Sequence, residues 1–548
     1  MHGLMQDWPL TVDKILNHAN MWHPDREIVT RSVEGSLIRS SYAHIWDRAK
    51  RLSNALKAMG IIVGDRVASL AWNTARHMET WYAVMGIGAI CHTINPRLHA
   101  EQILYIVNHA ADKILFTDVT FLPMVLEIRA RMPTVKHIVV MTDRDTMREA
   151  SFPCAVCFED LVADNCPDCE WGGFDENTAA GLCYTSGTTG NPKGVLYSHR
   201  SNFLHTLVIN GADVMAVSAR DTVLPMVPMF HANAWGLAFA CPAVGAKMVL
   251  PGQKLDGLSV YELLEGEEVT FAAAVPTVWQ MLLAHLRATK GELSTLRRVV
   301  FGGAAPPASL VRAFRDEYGV EAFHGWGMTE MSPLGTFTSP TAIVAQLTPE
   351  EQLHFTVKQG RPPLGVEIKL TSDDGHRIPH DGRTQGALKV RGPCVAASYF
   401  GGSGALDREG FFETGDVATL DDQGYLHITD RAKDVIKSGG EWISSTSIEN
   451  MAMEHPKALR CAVIGARHPK WDERPILLVQ LKDGETASKD EFFDLLEGKI
   501  TQWWMPDDLI FVAEIPLGTT GKIDKRAIRE QMKNYMLPTI DASRADKP

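Results

Sequence analysis

The sequence predicts an α/β protein with a large, multi-part N-terminal domain and a small α+β domain at the C-terminus. A chain of 548 residues is too long for one ordinary core, which indicates at least two domains. Strand-type and helix-type segments alternate through much of the chain, as in a parallel-rich sheet. Between residues 386 and 430 the sequence becomes β-rich and is punctuated by Gly and Asp, which predicts short hairpins.

The N-terminal segments alternate most clearly. The stretch 41–60, SYAHIWDRAKRLSNALKAMG, has apolar residues at helical spacing and ends on a glycine, so it predicts a helix. DRVASLAWN then predicts a strand and HMETWYAVMGIGA a helix, followed by the short strands DKILFTD and HIVVMTD. This order favours an α/β domain in which parallel strands predominate.

Glycine-rich loops follow several of the later predicted strands. AAGLCYTS predicts a buried strand, and SHRSNFLHTLVIN predicts a helix capped by Ser198, so the loop between them should follow a strand–loop–helix path. FAAAVP, RRVVFGGAAP and EAFHGWGMTE each predict a strand followed by such a loop. Beyond residue 434 we expect a helix near 446–454, strands at CAVIGA and ILLVQL, a helix over 489–500 and a strand at LIFVAEI, with the domain boundary at about 431–434.

Composition excludes several classes of partner. The net charge of −12 argues against a broad basic surface for nucleic acid. The N-terminus has no basic region followed by an apolar run, and no segment approaches the roughly 20 apolar residues of a membrane span. The C-terminus ASRADKP carries no lipidation signal. A cytoplasmic protein with neither nucleic acid nor membrane as partner is therefore expected.

Four cysteines leave a second interpretation open. Cys154, Cys157, Cys166 and Cys169 form two C-x-x-C pairs, as in a zinc ribbon. Only eight residues separate the pairs, and the intervening FEDLVAD reads as a short helix without glycine knuckles. We expect no metal here. The rival hypothesis, a zinc-ribbon interaction protein with a nucleotide switch, depends on these cysteines alone.

The stretch YTSGTTGNPKGV, residues 184–195, has the composition of a phosphate-binding loop. Its glycines permit close backbone approach, its hydroxyls can donate, and its lysine supplies a point charge. A Walker A loop would need Gly-Lys followed by Ser or Thr, whereas here Pro192 precedes Lys193 and Gly194 follows it. The residues that favour phosphate are Thr185, Ser186, Gly187, Thr188, Thr189, Gly190 and Lys193.

TSGTTGNPKG is similar to the signature of the adenylate-forming superfamily, which includes acyl-CoA synthetases, peptide-synthetase adenylation domains and firefly-type luciferases. Six further motifs of that superfamily follow in the expected order. They are MFHANAW (229–235), FGGAAP (301–306), GWGMTE (325–330), ETGD (413–416), DRAKDVIKSGGEWIS (430–444) and GKIDK (521–525). The resemblance implies an N-terminal AMP-binding domain (1–430), a hinge (431–433) that contains Lys433, and a small mobile C-terminal domain (434–548).

The resemblance also implies which residues bind ATP and Mg²⁺. Trp326 would present a flat face to the purine, where relatives often have Tyr, and Asp416 would accept from the ribose hydroxyls. Thr185 and Glu330 would hold Mg²⁺, because a hard cation prefers oxygen ligands. Beyond the phosphate loop, the implied ATP-binding set is Gly302, Gly303, Ala304, His324, Gly325, Trp326, Gly327, Met328, Thr329, Asp416, Ile428, Arg431 and Lys522.

The implied reaction joins a carboxylic acid to coenzyme A through an acyl-adenylate. Lys522 would stabilise charge during adenylation, although Leu517 and Gly518 depart from the usual Pro-Lys-Thr pattern before it. Thr185, Glu330 and His231 complete the implied catalytic set. His231, Trp235, Gly302 and Met328 would line the acyl pocket, and Ser438, Gly439, Gly440, Glu441 and Trp442 the CoA channel.

The sequence leaves the acid substrate and the thiol acceptor open among a few related alternatives. No carrier-protein segment follows GKIDK, which favours free CoA as the thiol. Overall the chain most resembles the bacterial ligases of 3-methylmercaptopropionate that also accept short- and medium-chain fatty acids. A medium- or long-chain fatty-acid ligase and a stand-alone adenylation enzyme that loads a carrier protein are the alternatives. Relatives of this kind are often homodimers, so a homodimer is expected.

Overall fold

The structure is a computed structural model that describes residues 1, 3–150, 155–185, 191–402, 404–438, 441–518, 523–533 and 535–538. The chain forms two compact units. The first contains Met1–Glu367 and Val390–Phe412, and the second contains Ile368–Lys389 and Glu413–Pro548. The boundary at 431–434 that the sequence indicates stays a prediction.

Helices and strands alternate through the first two hundred residues, as the sequence predicts. The elements up to residue 209 are α1 (Asp13–Trp22), β1 (Glu27–Arg31), β2 (Leu37–Ser41), α2 (Tyr42–Ala58), β3 (Arg66–Leu70), α3 (Ala75–Gly86), β4 (Ile90–Thr93), α4 (Ala100–Ala110), β5 (Ile114–Thr117), α5 (Leu122–Ile128), β6 (His137–Val140), α6 (Arg144–Ala150), β7 (Val156–Cys157), α7 (Phe158–Ala163), β8 (Ala179–Thr185), β9 (Lys193–Ser198) and α8 (His199–Ile209).

Helices and strands also alternate between residues 210 and 371. The elements from residue 210 to 371 are β10 (Thr222–Pro225), α9 (Leu237–Val244), β11 (Lys247–Leu250), α10 (Gly257–Gly266), β12 (Phe271–Ala274), α11 (Pro276–Thr289), β13 (Arg298–Phe301), α12 (Ala308–Tyr318), β14 (Glu321–Gly327), β15 (Leu334–Phe337), α13 (Pro349–Thr356) and β16 (Glu367–Thr371).

Strands outnumber helices in the described residues that follow. The remaining elements are β17 (Gly386–Arg391), β18 (Phe412–Leu420), β19 (Leu426–Arg431), β20 (Ile436–Ser438), β21 (Glu441–Ile443), α14 (Ser445–Ala452), β22 (Ala458–His468), β23 (Asp472–Leu481), α15 (Lys489–Leu496), β24 (Asp508–Phe511) and α16 (Lys525–Gln531).

Two large sheets dominate the first unit and confirm the α/β prediction. One has the order β7-β6-β5-β3-β4-β8-β9 and is parallel except for the β8–β9 pair. The other has the order β15-β14-β13-β12-β10-β11-β1-β2 and is antiparallel only at its two ends. One hydrophobic cluster includes buried side chains from both sheets, among them Phe116 of β5 and Phe271 of β12.

Antiparallel pairing is more common in the rest of the chain. β16 to β19 form a four-stranded sheet in sequence order, and β18 pairs antiparallel with β19. A five-stranded sheet contains β20 to β24, with a long antiparallel β22–β23 pair at its centre. Buried residues such as Ile448, Leu477 and Phe492 form a core of their own there. The small α+β domain that the sequence predicts is therefore present.

Three local predictions were wrong in detail. The phosphate loop lies in the β8–β9 hairpin, because KGVLYS pairs antiparallel with β8 before α8 begins. The GWG motif belongs to the strand β14 itself, which continues to Gly327 because its glycines let β15 fold back on it. Helix α15 ends at Leu496 and not at residue 500, because Gly498, two residues beyond Leu496, has a φ of +75°, a left-handed value typical of a helix C-terminus.

Ser198 caps α8 as predicted, since its hydroxyl accepts from the backbone N–H of Ser201 at 3.0 Å. Among the helices of the described ranges, none combines the length and apolar composition needed to cross a membrane.

Candidate functional site

The ends of the phosphate loop are held together by β-pairing. Thr185 ends β8, Lys193 begins β9, and the two are register partners. The Thr185 hydroxyl also donates to the Lys193 carbonyl at 3.4 Å. Lys193 is exposed, and its Nζ lies 4.9 Å from the ring centroid of Tyr399. The loop therefore begins with a hydroxyl and ends with a cation.

Glu330 lies in a short 3₁₀ turn, Thr329–Met331, just after β14. It is buried, and one carboxylate oxygen accepts from the Tyr399 hydroxyl at 2.7 Å. The neighbouring Thr329 carbonyl accepts from the Tyr197 hydroxyl at 2.8 Å. Glu330 and Lys193, which are 137 positions apart in the numbering, therefore contact the same tyrosine.

The GWG motif forms a tight antiparallel hairpin with β15. A Cβ at Gly327 would lie 2.1 Å from the Pro333 carbonyl oxygen, so only glycine fits this close approach. The ring of half-buried Trp326 packs against Gly335, where a Cβ would lie 2.4 Å from it. The two glycines therefore fix the position of the aromatic ring that the sequence assigns to the purine.

His324 is more deeply buried than we expect for a residue that lines a ligand site. Its Nδ1–H donates to the Lys358 carbonyl at 2.5 Å, and its backbone N–H donates to the Thr338 hydroxyl at 2.7 Å. Burial lowers the pKa of His324 to about 4, so the ring is neutral at physiological pH. Its predicted role in ATP binding stays a prediction.

The segment after His231 has an unusual backbone. Ala232, Asn233, Ala234 and Trp235 have φ values between 45° and 57°, which is the left-handed region. L-residues usually enter this region singly. The turn places the Trp235 ring against Gly302, where a Cβ would lie 2.6 Å from Cη2 of the indole. Trp235 and Gly302, both predicted in the acyl pocket, are therefore in contact.

The other predicted residues of this unit lie close to these motifs in the chain. Gly302 is buried at the end of β13, whereas Gly303 and Ala304 are exposed. Met328 is half-buried, and its N–H donates to the Pro333 carbonyl at 3.0 Å. Gly325 pairs with Phe337 across the β14–β15 hairpin.

In the second unit, Asp416 and Arg431 form an ion pair. They are register partners on β18 and β19, and Arg431 Nε lies 2.8 Å from the Asp416 carboxylate. Asp416 is buried, while the Arg431 side chain is 46% exposed and can reach a ligand. Ile428 is half-buried on the same strand β19. Lys433 is exposed in the turn that follows.

Ser438, predicted in the CoA channel, is fully buried at the end of β20. Its hydroxyl accepts from Arg474 at 3.3 Å, and its carbonyl accepts from the Trp503 indole at 3.3 Å. β21 starts at Glu441 and includes Trp442. The predicted residues that lie outside the described ranges are Ser186, Gly187, Thr188, Thr189, Gly190, Gly439, Gly440 and Lys522.

Two of the described cysteines of the C-x-x-C pairs are buried. The Cys157 thiol donates to the Thr142 carbonyl at 3.8 Å, and Cys166 is exposed. Cys169 is buried, whereas Cys154 lies outside the described part of the chain. Within that part, no three His, Cys, Asp or Glu side chains are grouped as metal ligands would be.

Tyr399 is the residue that sequence reasoning missed. It lies in PCVAASYF, residues 393–400, a stretch without the charged residues or the glycine-rich pattern that would mark a site. Its contact with Glu330 joins residues 69 positions apart, which only the fold brings together.

Comparison with known proteins matches most of the chain to a family. The model of the family described as AMP-binding enzyme matches residues 16–400, and that of its C-terminal domain matches residues 447–522. The chain belongs to the AMP-binding enzyme family. Thr185, Lys193, Glu330 and Tyr399 all lie within the first of these two matches.

Relatives in this family resemble the chain over nearly its full length. A 3-methylmercaptopropionyl-CoA ligase from Ruegeria lacuscaerulensis is 49% identical, over 98% of this chain and 100% of that protein. A medium-chain-fatty-acid–CoA ligase from Ectopseudomonas oleovorans is 47% identical, with 98% of each chain covered. The crystal structure of the anthranilate CoA ligase AuaEII in complex with anthranoyl-AMP matches with a TM-score of 0.84 and 26% identity, covering 96% of this chain and 99% of that one.

Proposed function

We propose that this member of the family is an ATP-dependent acyl-CoA ligase. A carboxylic acid and ATP would give an acyl-adenylate and pyrophosphate, and the thiol of CoA would then displace AMP. The observation that carries the proposal is the joint contact of Lys193 and Glu330 with Tyr399. It brings a phosphate-binding cation and a buried carboxylate together at the loop expected to hold the leaving phosphates.

The first unit supplies the groups for the β- and γ-phosphates. The Thr185 hydroxyl and the Lys193 ammonium flank the phosphate loop, where they would bind the outer phosphates as pyrophosphate departs. Trp326, fixed by its contact with Gly335, would stack on the adenine. Together these groups would hold the triphosphate while the acid attacks the α-phosphorus.

Mg²⁺ fits the donor set of this unit. Mg²⁺ keeps several waters and is held by one or two carboxylates together with substrate phosphates. Glu330 supplies one buried carboxylate and Thr185 a hydroxyl oxygen, which suits an ion that arrives with the nucleotide. When bound, the ion would neutralise phosphate charge.

The second unit would bind the ribose and complete the reaction. Asp416 would accept from the ribose hydroxyls, with Arg431 beside it at 2.8 Å. Lys522 would stabilise the negative charge that develops on the α-phosphate and the attacking carboxylate. The turn at Lys433 would serve as the hinge, and Ser438 to Trp442 would line the path of the CoA thiol.

For the acid, we propose 3-(methylthio)propionate together with short- and medium-chain fatty acids. The support is the 49% identity to a 3-methylmercaptopropionyl-CoA ligase, and the Trp235–Gly302 contact, which would limit the depth available to an apolar chain if these residues line the acyl pocket. The medium-chain relative at 47% identity favours fatty acids as a second class of substrate. We further propose that the enzyme is a cytoplasmic homodimer.

A pyrophosphate-release assay tests the proposal. The enzyme is incubated with ATP, Mg²⁺, CoA and, in turn, 3-(methylthio)propionate, fatty acids of C3 to C12, and aromatic acids. We expect acid-dependent release of pyrophosphate and formation of the acyl-CoA thioester, with highest kcat/KM for methylthio- and short- to medium-chain acids. Pyrophosphate without a CoA thioester would favour a carrier-protein acceptor instead. No acid-dependent release would refute the proposal.

A further inference from the structure

Tyr399 contacts both charged groups of the phosphate site through different parts of one side chain. Its ring lies 4.9 Å from Lys193 Nζ, and its hydroxyl donates to the Glu330 carboxylate at 2.7 Å. A carboxylate oxygen can only accept, so the Tyr399 hydroxyl is the donor in this hydrogen bond.

The backbone around Tyr399 is tied to the same two motifs. The N–H of Ala396 donates to the Glu330 carbonyl at 2.7 Å, and the N–H of Phe400 donates to the Gly194 carbonyl at 2.8 Å. Residues 396–400, here called the bridging segment, thus connect the turn that carries Glu330 with the strand that begins at Lys193. The position of the phenol follows from hydrogen bonds on both sides of it.

Packing alone does not explain the hydroxyl. The Tyr399 ring packs against a cluster that includes Val195 and Tyr197, and it makes an edge contact with Phe412 at 6.0 Å. Phenylalanine would fill the same space. Among the described residues, the hydroxyl donates to the Glu330 carboxylate, which it holds in one orientation by a hydrogen bond to a charged group.

We propose that Tyr399 is a positioning residue that aims Glu330 at the metal of Mg-ATP and Lys193 at the phosphates. The inference rests on the proposed function, since it assigns Glu330 and Lys193 to that nucleotide. It adds a residue from outside the recognised motifs, with a separate role for each part of its side chain: the hydroxyl for the metal ligand and the ring for the lysine.

Two substitutions separate these roles. Tyr399→Phe removes the hydroxyl and keeps the ring, whereas Tyr399→Leu removes both. Binding is measured without a carboxylic acid: Mn²⁺ in the presence of ATP by electron paramagnetic resonance of the free ion, and metal-free ATP by calorimetry in EDTA. Tyr535→Phe is the matched control, because the Tyr535 hydroxyl also donates to a carboxylate, that of Asp508, in the other unit.

We expect Tyr399→Phe to weaken Mn²⁺ binding by roughly threefold to tenfold, a part of what a hydrogen bond to a charged group contributes, and to leave metal-free ATP binding unchanged. Tyr399→Leu should weaken both. Tyr535→Phe should change neither. In a Glu330→Gln background, Tyr399→Phe should have no further effect on Mn²⁺, because the carboxylate it positions is gone.

The outcomes distinguish the two proposals. Unchanged Mn²⁺ affinity in Tyr399→Phe, with a clear loss in Glu330→Gln, overturns the role of Tyr399 and leaves the proposed function intact. Unchanged affinity in Glu330→Gln removes the metal role of Glu330 and, with it, the role of Tyr399. An equal loss of Mn²⁺ and metal-free ATP binding in Tyr399→Phe would indicate a general structural defect and would also overturn the inference.

Discussion

At the scale of single residues, the contact between Trp235 and Gly302 sets the expected size of the acyl pocket. The indole fills the space where a Cβ at position 302 would lie, 2.6 Å from Cη2. Removing the indole would open this space to a longer chain, because the volume of an aromatic side chain becomes available.

We therefore expect Trp235→Ala to shift the chain-length preference of the ligase upward, with kcat/KM rising for C8 to C12 acids relative to C3 and C4. The measurement is the pyrophosphate-release profile across C3 to C12 acids. Trp22→Ala, at an exposed tryptophan at the end of α1, is the control and should leave the profile unchanged. The same profile in Trp235→Ala would remove Trp235 from the acyl pocket.

Sequence reasoning succeeds at residues whose surroundings are local. Ser198 as a helix cap follows from the residues next to it, and the cap is present. The roles of Trp235 and Tyr399 depend on contacts with Gly302 and Glu330, which are distant in the chain. The contact between Asp416 and Arg431 is intermediate between local and distant, because the register of a single hairpin, β18–β19, brings the two residues together.

At the scale of elements, the carboxylate of Asp118, which directly follows β5, makes the stability of the fold depend on pH. Its carboxylate accepts from the Trp72 N–H at 2.7 Å, while its Oδ1 is buried with no hydrogen-bond partner among the described residues. Burial raises the pKa of Asp118 to about 7. The folded protein therefore binds this proton more tightly than the unfolded chain does, so this group lowers stability as pH rises from about 4 to about 7.

Asp118→Asn should remove this pH dependence, since the amide stays neutral and keeps an oxygen for the Trp72 N–H. We expect the thermal midpoint of the variant, relative to wild type, to be higher at pH 8 than at pH 5. Differential scanning fluorimetry at both values measures this difference. The exposed Asp168→Asn serves as control. A midpoint difference that is the same at both pH values would contradict the expectation.

Sequence patterns predict some of the helices and strands correctly and misplace others. The order of segments predicts β5, β6 and α3 well, because each is a nearly continuous run of buried residues between turn-forming residues. It misplaces the phosphate loop, since KGVLYS is a strand only through its pairing with β8. The strand β14 runs through GWG because its glycines permit β15 to approach closely, which is a tertiary effect.

At the scale of the whole molecule, the proposed reaction needs groups from both units. The first unit carries Lys193 and Glu330, and the second carries Asp416, Arg431 and the segment that contains Lys522. Substitution of a residue that acts in only one half-reaction should slow that half-reaction and spare the other.

We expect Lys522→Ala to reduce adenylation by at least a hundredfold and to largely spare thioester formation from supplied acyl-AMP, because in the proposed mechanism its charge would stabilise only the first transition state. Acid-dependent pyrophosphate release measures the first step, and CoA-thioester formation from synthetic acyl-AMP measures the second. Lys533→Ala, at an exposed lysine of the same unit, should affect neither. Equal loss of both half-reactions would contradict the proposed role.

At the turn Ala232–Trp235 the backbone favours residues of the opposite chirality, because four successive residues have positive φ values. A left-handed conformation costs alanine or tryptophan about 1–2 kcal/mol, whereas asparagine adopts it more readily, so this turn stores a backbone strain on the order of a few kcal/mol. Here the mirror-image amino acid is the relaxed one: D-alanine at position 232 or 234 would adopt the native φ without strain. The chirality of a replacement residue, in addition to its size, therefore determines whether this buried segment tolerates it.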